Sequence, residues 1–515
     1  MKNRKNYLLL TPVLALGLIL ASCAKEGGAS GKDVRGGEAY VSFELALDYN
    51  YGIRTTMKSA ADAEGTTAER IVKNVHILLY EAGGSQKLAY RWEIEAGNDD
   101  GETAFSGSDV VDESYAVPTA LKFVSMAKLV AKDDYDMVVL VNPTDAIIEV
   151  TENSIDNSGE ASANTYVQFA SAPQTSASSS NGAGDYITAS KGFFMTNAYG
   201  PRRITAGQLK LGAEDAQKSP FYVGVDRIVA KILVTEDDNF NQGISNVRVS
   251  DISWVIDNMN KKTYWIRQAT LAANQSAEVR TPGSETQRNL LYALDPNWAG
   301  VSAMGDEARA DEFNFISRDN YDIEITAALE KSADAGPVYV LENTVPKEEQ
   351  AAGKIEKAGT CILVKATVEI MIDGDFRSDY YSFGDKVFTK AQYDEWSESG
   401  SYPEDMPAGF ASAWAASSFA ATPAPLVYTE SNGIIFHKDG MNYYTIPVRH
   451  FTSAEGVTSA AAHQGYYGVV RNNFYKINIK SISGRGTETS GKTYISAEID
   501  TFPWIVRVAQ DENLN

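Results

Sequence analysis

Residues 38–48 read EAYVSFELALD. Val41, Phe43, Leu45 and Leu47 stand at every second position, with smaller or polar residues between them. Side chains at alternate positions of a β-strand point to the same face. The alternation therefore predicts a strand with one face buried in a core.

Similar alternations and short apolar runs recur along the chain, separated by turn residues. Many short strands of this kind favour an all-β sandwich architecture. Helical periodicity is rare, and short helices are predicted only near 119–130 and 389–396. The other predicted strands are 71–79, 136–142, 189–196, 228–234, 246–256, 263–267, 321–327, 361–371, 443–448, 474–482 and 493–500.

The chain has 515 residues, which is long enough for several domains. A Lys/Ser/Pro turn at 218–220 precedes a new strand-rich region, so a domain break is predicted between 215 and 226, and we place it after residue 222. The predicted parts are a signal peptide (1–22), a propeptide with the first strand (23–54), two sandwich domains (55–222 and 223–501) and a terminal strand (502–515).

The N-terminus has the order of a secretory signal peptide: basic residues, an apolar run at 7–19 and a small-residue segment ending in Cys23. The run is short for a transmembrane helix, and no later stretch is apolar enough to span a bilayer. Leu20-Ala21-Ser22-Cys23 is also a lipobox. We predict cleavage before Cys23 and acylation of its sulfur, with an ordinary signal peptide as the alternative.

The formal net charge of −22 repels nucleic acid, so no such partner is predicted. Once Cys23 is acylated, Cys361 is the only other cysteine. A lone thiol cannot close an internal disulfide. Because Cys361 lies in a strand-like run, it is predicted to be a small buried hydrophobe.

The sequence carries no recognisable catalytic motif. Its histidines lack zinc-site spacing, and neither a G-x-S-x-G elbow nor a Walker loop is present. Acids at 98–102 and 237–238 predict solvated loops, with Ca²⁺ as a weak alternative, since neither has EF-hand spacing. Trp414 is expected to pack in the core or against a loop rather than to stack on a bound sugar. We predict no enzyme activity, cofactor or metal site. The histidines are His76, expected on the surface, and His437, His450 and His463.

The C-terminus carries a second apolar alternation beyond a proline. Pro503 lacks the N–H that a strand ladder needs, so the chain should bend or change partner there. Trp504, Val506 and Val508 then alternate with Ile505 and Arg507. An exposed apolar strand at a chain end tends to pair with other chains, so this pattern favours a strand that pairs with another molecule.

Residues 468–482, GVVRNNFYKINIKSI, are similar to a segment of the fimbrillins of type V pili, and most similar to the short (minor) branch. Three further segments resemble elements of that branch, and the lipobox completes the set. The long Pro/Glu-rich insert of some members is missing. The three segments are 226–231, 251–256 with 262–265, and 502–506.

This resemblance implies two transthyretin-like β-sandwich domains and a maturation step. A lipidated precursor reaches the outer membrane surface, an Arg-specific trypsin-like protease removes the first strand, and a neighbour's terminal strand fills the groove. Cutting at Arg35 would leave the strand in place, so we predict a cut at Arg54–Thr55, with Lys58 as the weaker site and an ordinary loop arginine as the alternative. Displaced residues would be Val41, Phe43, Leu45 and Leu47, and donor residues Trp504, Val506 and Val508.

We therefore predict a structural fimbrial subunit that forms a head-to-tail polymer and supports adhesion. Its partners would be copies of itself, accessory fimbrial subunits, the protease, and host or bacterial surface ligands. Its lipid would hold it to the outer membrane until it joins an extracellular fimbrium. A non-polymerising adhesin or tip subunit of the same fold is the alternative, followed by a glycan-binding or glycan-processing lipoprotein of unrelated fold.

Overall fold

The computed structural model describes much of the chain, with gaps. All structural statements below refer to these residues. They are 37–47, 69, 72–82, 86–95, 110–112, 122–152, 174–175, 182–188, 192–198, 200–267, 295, 297, 310–316, 336–346, 349, 359–417, 428–450, 466–486 and 495–503.

Short strands dominate the first half of the chain, with two helices and one 3₁₀ turn at Gly182–Tyr186. The strands are β1 (Glu38–Val41), β2 (Phe43–Leu47), β3 (Asn74–Glu81), β4 (Leu88–Glu95), β5 (Val110–Asp112), β6 (Lys122–Ser125), β7 (Lys128–Ala131), β8 (Tyr135–Val141), β9 (Gln174–Thr175), β10 (Ile187–Thr188), β11 (Gly192–Phe193), β12 (Met195–Asn197), β13 (Arg202–Ile204) and β14 (Phe221–Arg227). The helices are α1 (Asp145–Glu152) and α2 (Ala213–Lys218).

One large sheet organises this half. Its strands lie in the order β4-β3-β8-β12-β14-β2-β6-β5, and β13 also pairs with β8. Strand β2, from the start of the chain, is parallel to β14, from the end of this half. The start and the end of the first half of the chain therefore lie side by side in one sheet, as β2 and β14.

The second half has its own strands and two further helices. The strands are β15 (Val229–Glu236), β16 (Val247–Asp257), β17 (Met259–Asn260), β18 (Lys262–Thr263), β19 (Phe313–Asn314), β20 (Val338–Leu341), β21 (Asn343–Thr344), β22 (Cys361–Ile372), β23 (Asp375–Arg377), β24 (Tyr380–Phe383), β25 (Lys386–Thr389), β26 (Tyr428–Ser431), β27 (Ile434–His437), β28 (Met441–Pro447), β29 (Gly468–Val469), β30 (Asn473–Ile482) and β31 (Ile495–Pro503). The helices are α3 (Lys390–Ser399) and α4 (Phe410–Ala416).

Two sheets form a sandwich in this half. One has the order β20-β15-β30-β31, and in the other β22 pairs with β16, β23 and β28. Ile232 and Ile477 of the first sheet share a buried core with Trp254 and Val364 of the second. The change of sheet falls at Ile228, a few residues after the predicted boundary at 222/223. The all-β fold is confirmed, and its transthyretin-like detail stays a prediction.

A small module lies between β23 and β28. Its sheet has the order β25-β24-β27-β26, and α3 and α4 cover it. Thr389 and Gln392 cap the start of α3 with a capping box, and Gly400 ends it at a φ of 67°. The helix predicted at 389–396 is confirmed. Trp414 packs among Tyr393, Phe410 and other rings of this module, as expected.

The helix predicted near 119–130 is wrong, because β6 and β7 occupy this stretch. Their backbones pair with the N-terminal strand, and this long-range ladder outweighs a weak local preference. Of the strand predicted at 263–267, only Thr263 lies in a strand, as the last residue of β18, so this prediction is wrong for residues 264–267. The strand predicted at 321–327 lies outside the described residues.

Candidate strand-exchange site

Residues 38–47 have neighbours on both sides: β2 lies inside the large sheet, whereas β1 pairs with β7 in a separate two-stranded sheet and meets Lys210 on its other side through an isolated bridge. In β1, Ala39 is opposite Val130 of β7, and Tyr40 exchanges two backbone hydrogen bonds with Lys210, at 2.6 and 3.0 Å. Strand β2 is antiparallel to β6 and parallel to β14. We call the space that residues 38–47 fill the slot. Removing the strand would leave unpaired backbone on both sides of the slot.

A β-bulge divides the slot. Val41 is opposite Lys128 and Glu44 is opposite Val124, so three steps along one strand match four along the other. The Ser42 hydroxyl donates to the carbonyl oxygen of Ser125 at 2.7 Å, and the Phe43 N–H donates to the Ser125 hydroxyl at 3.0 Å. Both serines are buried, so these bonds fix the register of the strand.

The inward side chains of the strand belong to the core of the first half. Ala39, Val41 and Phe43 are 0% exposed and Leu45 is 2% exposed. The Phe43 ring lies 5.7 Å from the ring of Trp92, centroid to centroid. The backbone of Leu47 pairs with Val225, and its side chain lies outside the described residues. That these residues are displaced during maturation stays a prediction.

Buried charges surround Glu69, the first described residue after the linker that carries the predicted cut. Its carboxylate contacts Lys231 Nζ at 2.8 Å and accepts a 2.5 Å hydrogen bond from the Tyr339 hydroxyl. Its backbone carbonyl accepts two hydrogen bonds from the guanidinium of Arg227. Burial lowers the pKa of Arg227 to about 10, which still leaves it charged at neutral pH. Glu69 is therefore tied to strands of both halves.

A second buried cluster centres on Arg471, within the 468–482 segment. Its backbone N–H and its Nε both donate to the Glu342 carboxylate, at 2.9 and 3.3 Å. One terminal nitrogen donates to the carbonyl oxygen of Tyr264 at 3.0 Å. The next residue, Asn472, sits at a φ of 59° and accepts a 2.9 Å hydrogen bond from Arg227. The two clusters are thus linked through Arg227 and Asn472.

Sequence reasoning assigned no role to these charged residues. The signal that could have found them is a charge inside an apolar run, as Lys231 stands in IVAKILV and Arg471 follows two valines. A buried charge requires a partner, so each such residue indicates an ion pair. The partners Glu69 and Glu342 are far away in sequence and could not be identified from it.

Strand β31 lies at the end of its sheet. It pairs along one edge with β30, and no strand pairs with its other edge among the described residues. Phe502 is opposite Phe474 and Pro503 is opposite Asn473, so the described part of the ladder includes the proline. Those two residues were assigned to the terminal strand 502–515, whereas here they complete β31. The predicted donor residues Trp504, Val506 and Val508 lie outside the described residues.

Several other predicted sites lie outside the described residues. They include the acylation site Cys23 and both residues of the predicted cut, Arg54 and Thr55. The structure therefore places none of these three relative to the slot. Also outside are Arg35, Lys58, His463 and the acids at 98–102.

The prediction of a surface position for His76 is wrong. It does point away from Val75 and Ile77, but both faces of β3 are covered, and His76 is 0% exposed. Its ring nitrogens lie 3.2 Å from Arg91 and 3.4 Å from Glu93. Alternation alone could not reveal the second covered face.

The remaining candidates are structural. Cys361 is buried, as predicted. Burial lowers the pKa of both His437 and His450 to about 3. Asp237 contacts Lys480 and Asn478. Across the described ranges, no three His, Cys, Asp or Glu side chains gather as a metal site. In the same ranges, no helix combines the length and hydropathy needed to cross a membrane.

Three solved structures are similar over most of this chain, with low identity. A proposed cell adhesion protein from Parabacteroides distasonis ATCC 8503 has 13% identity and a TM-score of 0.45, covering 91% of this chain and 99% of its own. A fimbrilin from Porphyromonas gingivalis W83 has 14% identity and a TM-score of 0.40, covering 92% of this chain and 99% of its own. The tip fimbrial protein Mfa3 from Porphyromonas gingivalis has 11% identity and a TM-score of 0.36, covering 91% of this chain and 100% of its own. TM-scores this low carry no argument about fold or function.

The comparison with curated protein sequences gives no match. Residues 436–510 match the family described as "Major fimbrial subunit protein type IV, Fimbrillin, C-terminal". The match covers β28 to β31 and the whole 468–482 segment. Its description names the major subunit, so assignment to the short branch stays a prediction. The resemblance to fimbrillins is confirmed: the chain carries a fimbrillin C-terminal region at residues 436–510.

Proposed function

We propose that this chain is a structural subunit of a surface fimbria, made as a lipidated precursor and polymerised by donor-strand exchange. The observation that carries the proposal is the N-terminal strand 38–47. It is buried, paired along both edges, and followed in sequence by Arg54. The fimbrillin C-terminal region supports the same function.

The strand is well placed for removal by one cut. It precedes every other described element, so it can leave without threading through a loop. Cleavage at Arg54–Thr55 would leave residues 38–54 held only by noncovalent contacts. The buried contacts of Glu69 would anchor the new N-terminal segment, 55–68, at the junction of the two halves.

The slot would not stay empty. Val41, Phe43 and Leu45 contribute roughly 1.5–3 kcal/mol each by burial, or about 4.5–9 kcal/mol together. This is comparable to the whole stability of an ordinary domain, about 5–15 kcal/mol. We therefore expect the cut strand to remain bound until a donor strand replaces it.

The donor in this proposal is the tail beyond Pro503 of a neighbouring copy. The tail can add to both open edges by β-augmentation while Trp504, Val506 and Val508 refill the core. Donor and slot are different surfaces, so each added copy presents a new slot or a new tail. Such a heterologous contact extends into a filament.

The proposal is tested by treating purified precursor with a low dose of trypsin. We expect a new N-terminus at Thr55 and ladders on unboiled gels. Arg54→Ala should abolish the Thr55 terminus and, combined with Lys58→Ala, the ladders as well, whereas Lys58→Ala alone should leave both intact. A cut at Thr55 that yields only monomers would contradict the polymerising subunit and favour the adhesin alternative.

A further inference from the structure

Arg485 lies where the small module meets the loop that follows β30. It stands between two glycines, and its side chain is only 6% exposed. One terminal nitrogen of its guanidinium donates a hydrogen bond to the hydroxyl oxygen of Ser382, on β24 of the module, at 3.2 Å. The N–H of the next residue, Gly486, donates to the side-chain oxygen of Asn442 at 2.9 Å. The loop therefore holds the guanidinium in place against the module.

The guanidinium of Arg485 has no carboxylate partner within 4 Å among the described residues, where the Ser382 hydroxyl is its hydrogen-bond acceptor. Other buried cations differ in this respect. Lys231 contacts Glu69, Arg267 contacts Asp226 and Arg471 contacts Glu342. A buried charge without a charged partner is costly, so a buried cation of this kind requires an anion.

The titratable side chains around Arg485 supply no negative charge. The Arg485 charge acts on the hydroxyls of Tyr380 and Tyr444, but burial raises the pKa of both above 10, so both are neutral at pH 7. His437 Nε2 lies 3.1 Å from the Ser382 oxygen. Burial, and then the charge of Arg485, lower the pKa of His437 to about 3, so its ring is also neutral. Within this group of described side chains, only Arg485 is charged.

We propose that Arg485 binds a small oxyanion of the phosphate type. A guanidinium presents its N–H groups as a planar fork that matches two oxygens of one oxyanion. One N–H of the fork is directed to Ser382, and the nitrogens without a partner keep some contact with solvent. A bound ion would also tie the module to the loop after β30. This site is separate from the slot and does not depend on polymerisation.

The surroundings of Arg485 favour a free ion over the side chain of another protein. Only a small part of the residue reaches the surface. The loop around it is closely packed, because a side chain added at Gly486 would collide with the backbone of Tyr443. A carboxylate on a partner protein would have to bring its backbone up to this narrow opening, whereas a free ion needs only the opening itself.

The test titrates the purified full-length precursor with inorganic phosphate, and chloride keeps the ionic strength constant. Arg485→Gln removes the charge, and Arg485→Lys keeps the charge but loses the fork. The matched control is Arg377→Gln, an exposed arginine on β23 that pairs with Asp375. Melting is followed by tryptophan fluorescence. Phosphate also stabilises proteins in general, but that effect does not saturate at low concentration and acts on all variants alike.

We expect phosphate to raise the melting temperature of wild type in a saturable way, by roughly 3–6 °C at ten times its dissociation constant. Arg377→Gln should show the same rise, Arg485→Lys less than half of it, and Arg485→Gln none. A rise in Arg485→Gln equal to that of wild type would mean a general salt effect or an adventitious ion only, and would overturn the site. An equal saturable rise with chloride alone would overturn the assignment to an oxyanion.

A second readout uses wild type alone and so does not depend on whether the Arg485 variants fold. The ring C–H signals of His437 are followed by NMR and assigned by their loss in His437→Asn. Because His437 and Arg485 share the Ser382 hydroxyl, phosphate should shift these signals with the midpoint found by melting. Signals that stay unchanged up to saturating phosphate would overturn the proposal. Neither readout involves polymers, so failure here would leave the proposed function standing.

Discussion

Phe43→Ala should destabilise the precursor and leave the mature polymer unaffected. Phe43 is fully buried in the core and contacts Trp92, so truncation leaves a cavity. A buried Phe→Ala change costs about 3–5 kcal/mol. For a domain of this size, each kcal/mol lowers the melting temperature by about 2–4 °C, so the precursor transition should fall by roughly 6–20 °C. Under the proposed cut at Arg54–Thr55, residue 43 is absent from the mature subunit, which explains the expected difference.

The matched control is Phe194→Ala. Phe194 is also fully buried, in the same core, but it remains in the chain after the predicted cut. Melting is followed by tryptophan fluorescence for precursor and for purified polymer of wild type and both variants. Phe194→Ala should lower the transition in both forms, and Phe43→Ala in the precursor alone. Phe43→Ala should also speed the exchange of the cut strand for an added donor peptide.

Two results would refute this reasoning. A polymer of Phe43→Ala that melts as low as its precursor would mean that residue 43 stays in the mature fold. A precursor whose melting is unchanged would mean that the strand adds little to the core, and the slot would then have no energetic role.

Three further predictions follow from the buried polar groups. Ser125→Ala should lower the free energy of unfolding of the precursor by about 0.5–1.5 kcal/mol, because the Phe43 N–H loses its acceptor, measured by urea unfolding, with the exposed Ser245→Ala as a neutral control. Arg471→Ala should lower the free energy of unfolding by about 3–5 kcal/mol, because Glu342 would keep a buried charge without its main partner. A loss below about 1 kcal/mol, which is typical of a surface ion pair, would refute the buried ion pair. His437 and His450 have folded pKa values of about 3, below the usual 6.5, so the unfolded state binds protons that the folded state excludes. Stability should therefore fall as pH drops from about 6.5 towards 3; a flat urea midpoint between pH 7 and 4.5 would contradict this, and His437→Asn should reduce the slope.

The pairing of residues 38–47 on both sides changes what the proposed maturation requires. An edge strand would leave after breaking one ladder, whereas residues 38–47 must give up pairing with β6 and β7 on one side and with β14 and Lys210 on the other. Cleavage alone removes the covalent link and none of these contacts. A donor that replaces them stepwise avoids exposing the whole slot at once.

The sequence alone determined that residues 38–47 form a strand with a buried face, since the period-two alternation is a local property of the chain. It also determined the all-β class, a short helix at the position of α3, and the fimbrillin resemblance of 468–482. Each of these depends on residues close together in sequence.

The tertiary structure alone decided which strands flank residues 38–47, because the partners of β2 lie from 76 to 178 residues away. It also decided that 122–131 is extended rather than helical, that both faces of β3 are covered, and that Glu69 and Arg471 find buried partners. Strand pairing and ion pairing depend on which distant groups meet, and the local pattern of a chain carries no record of that.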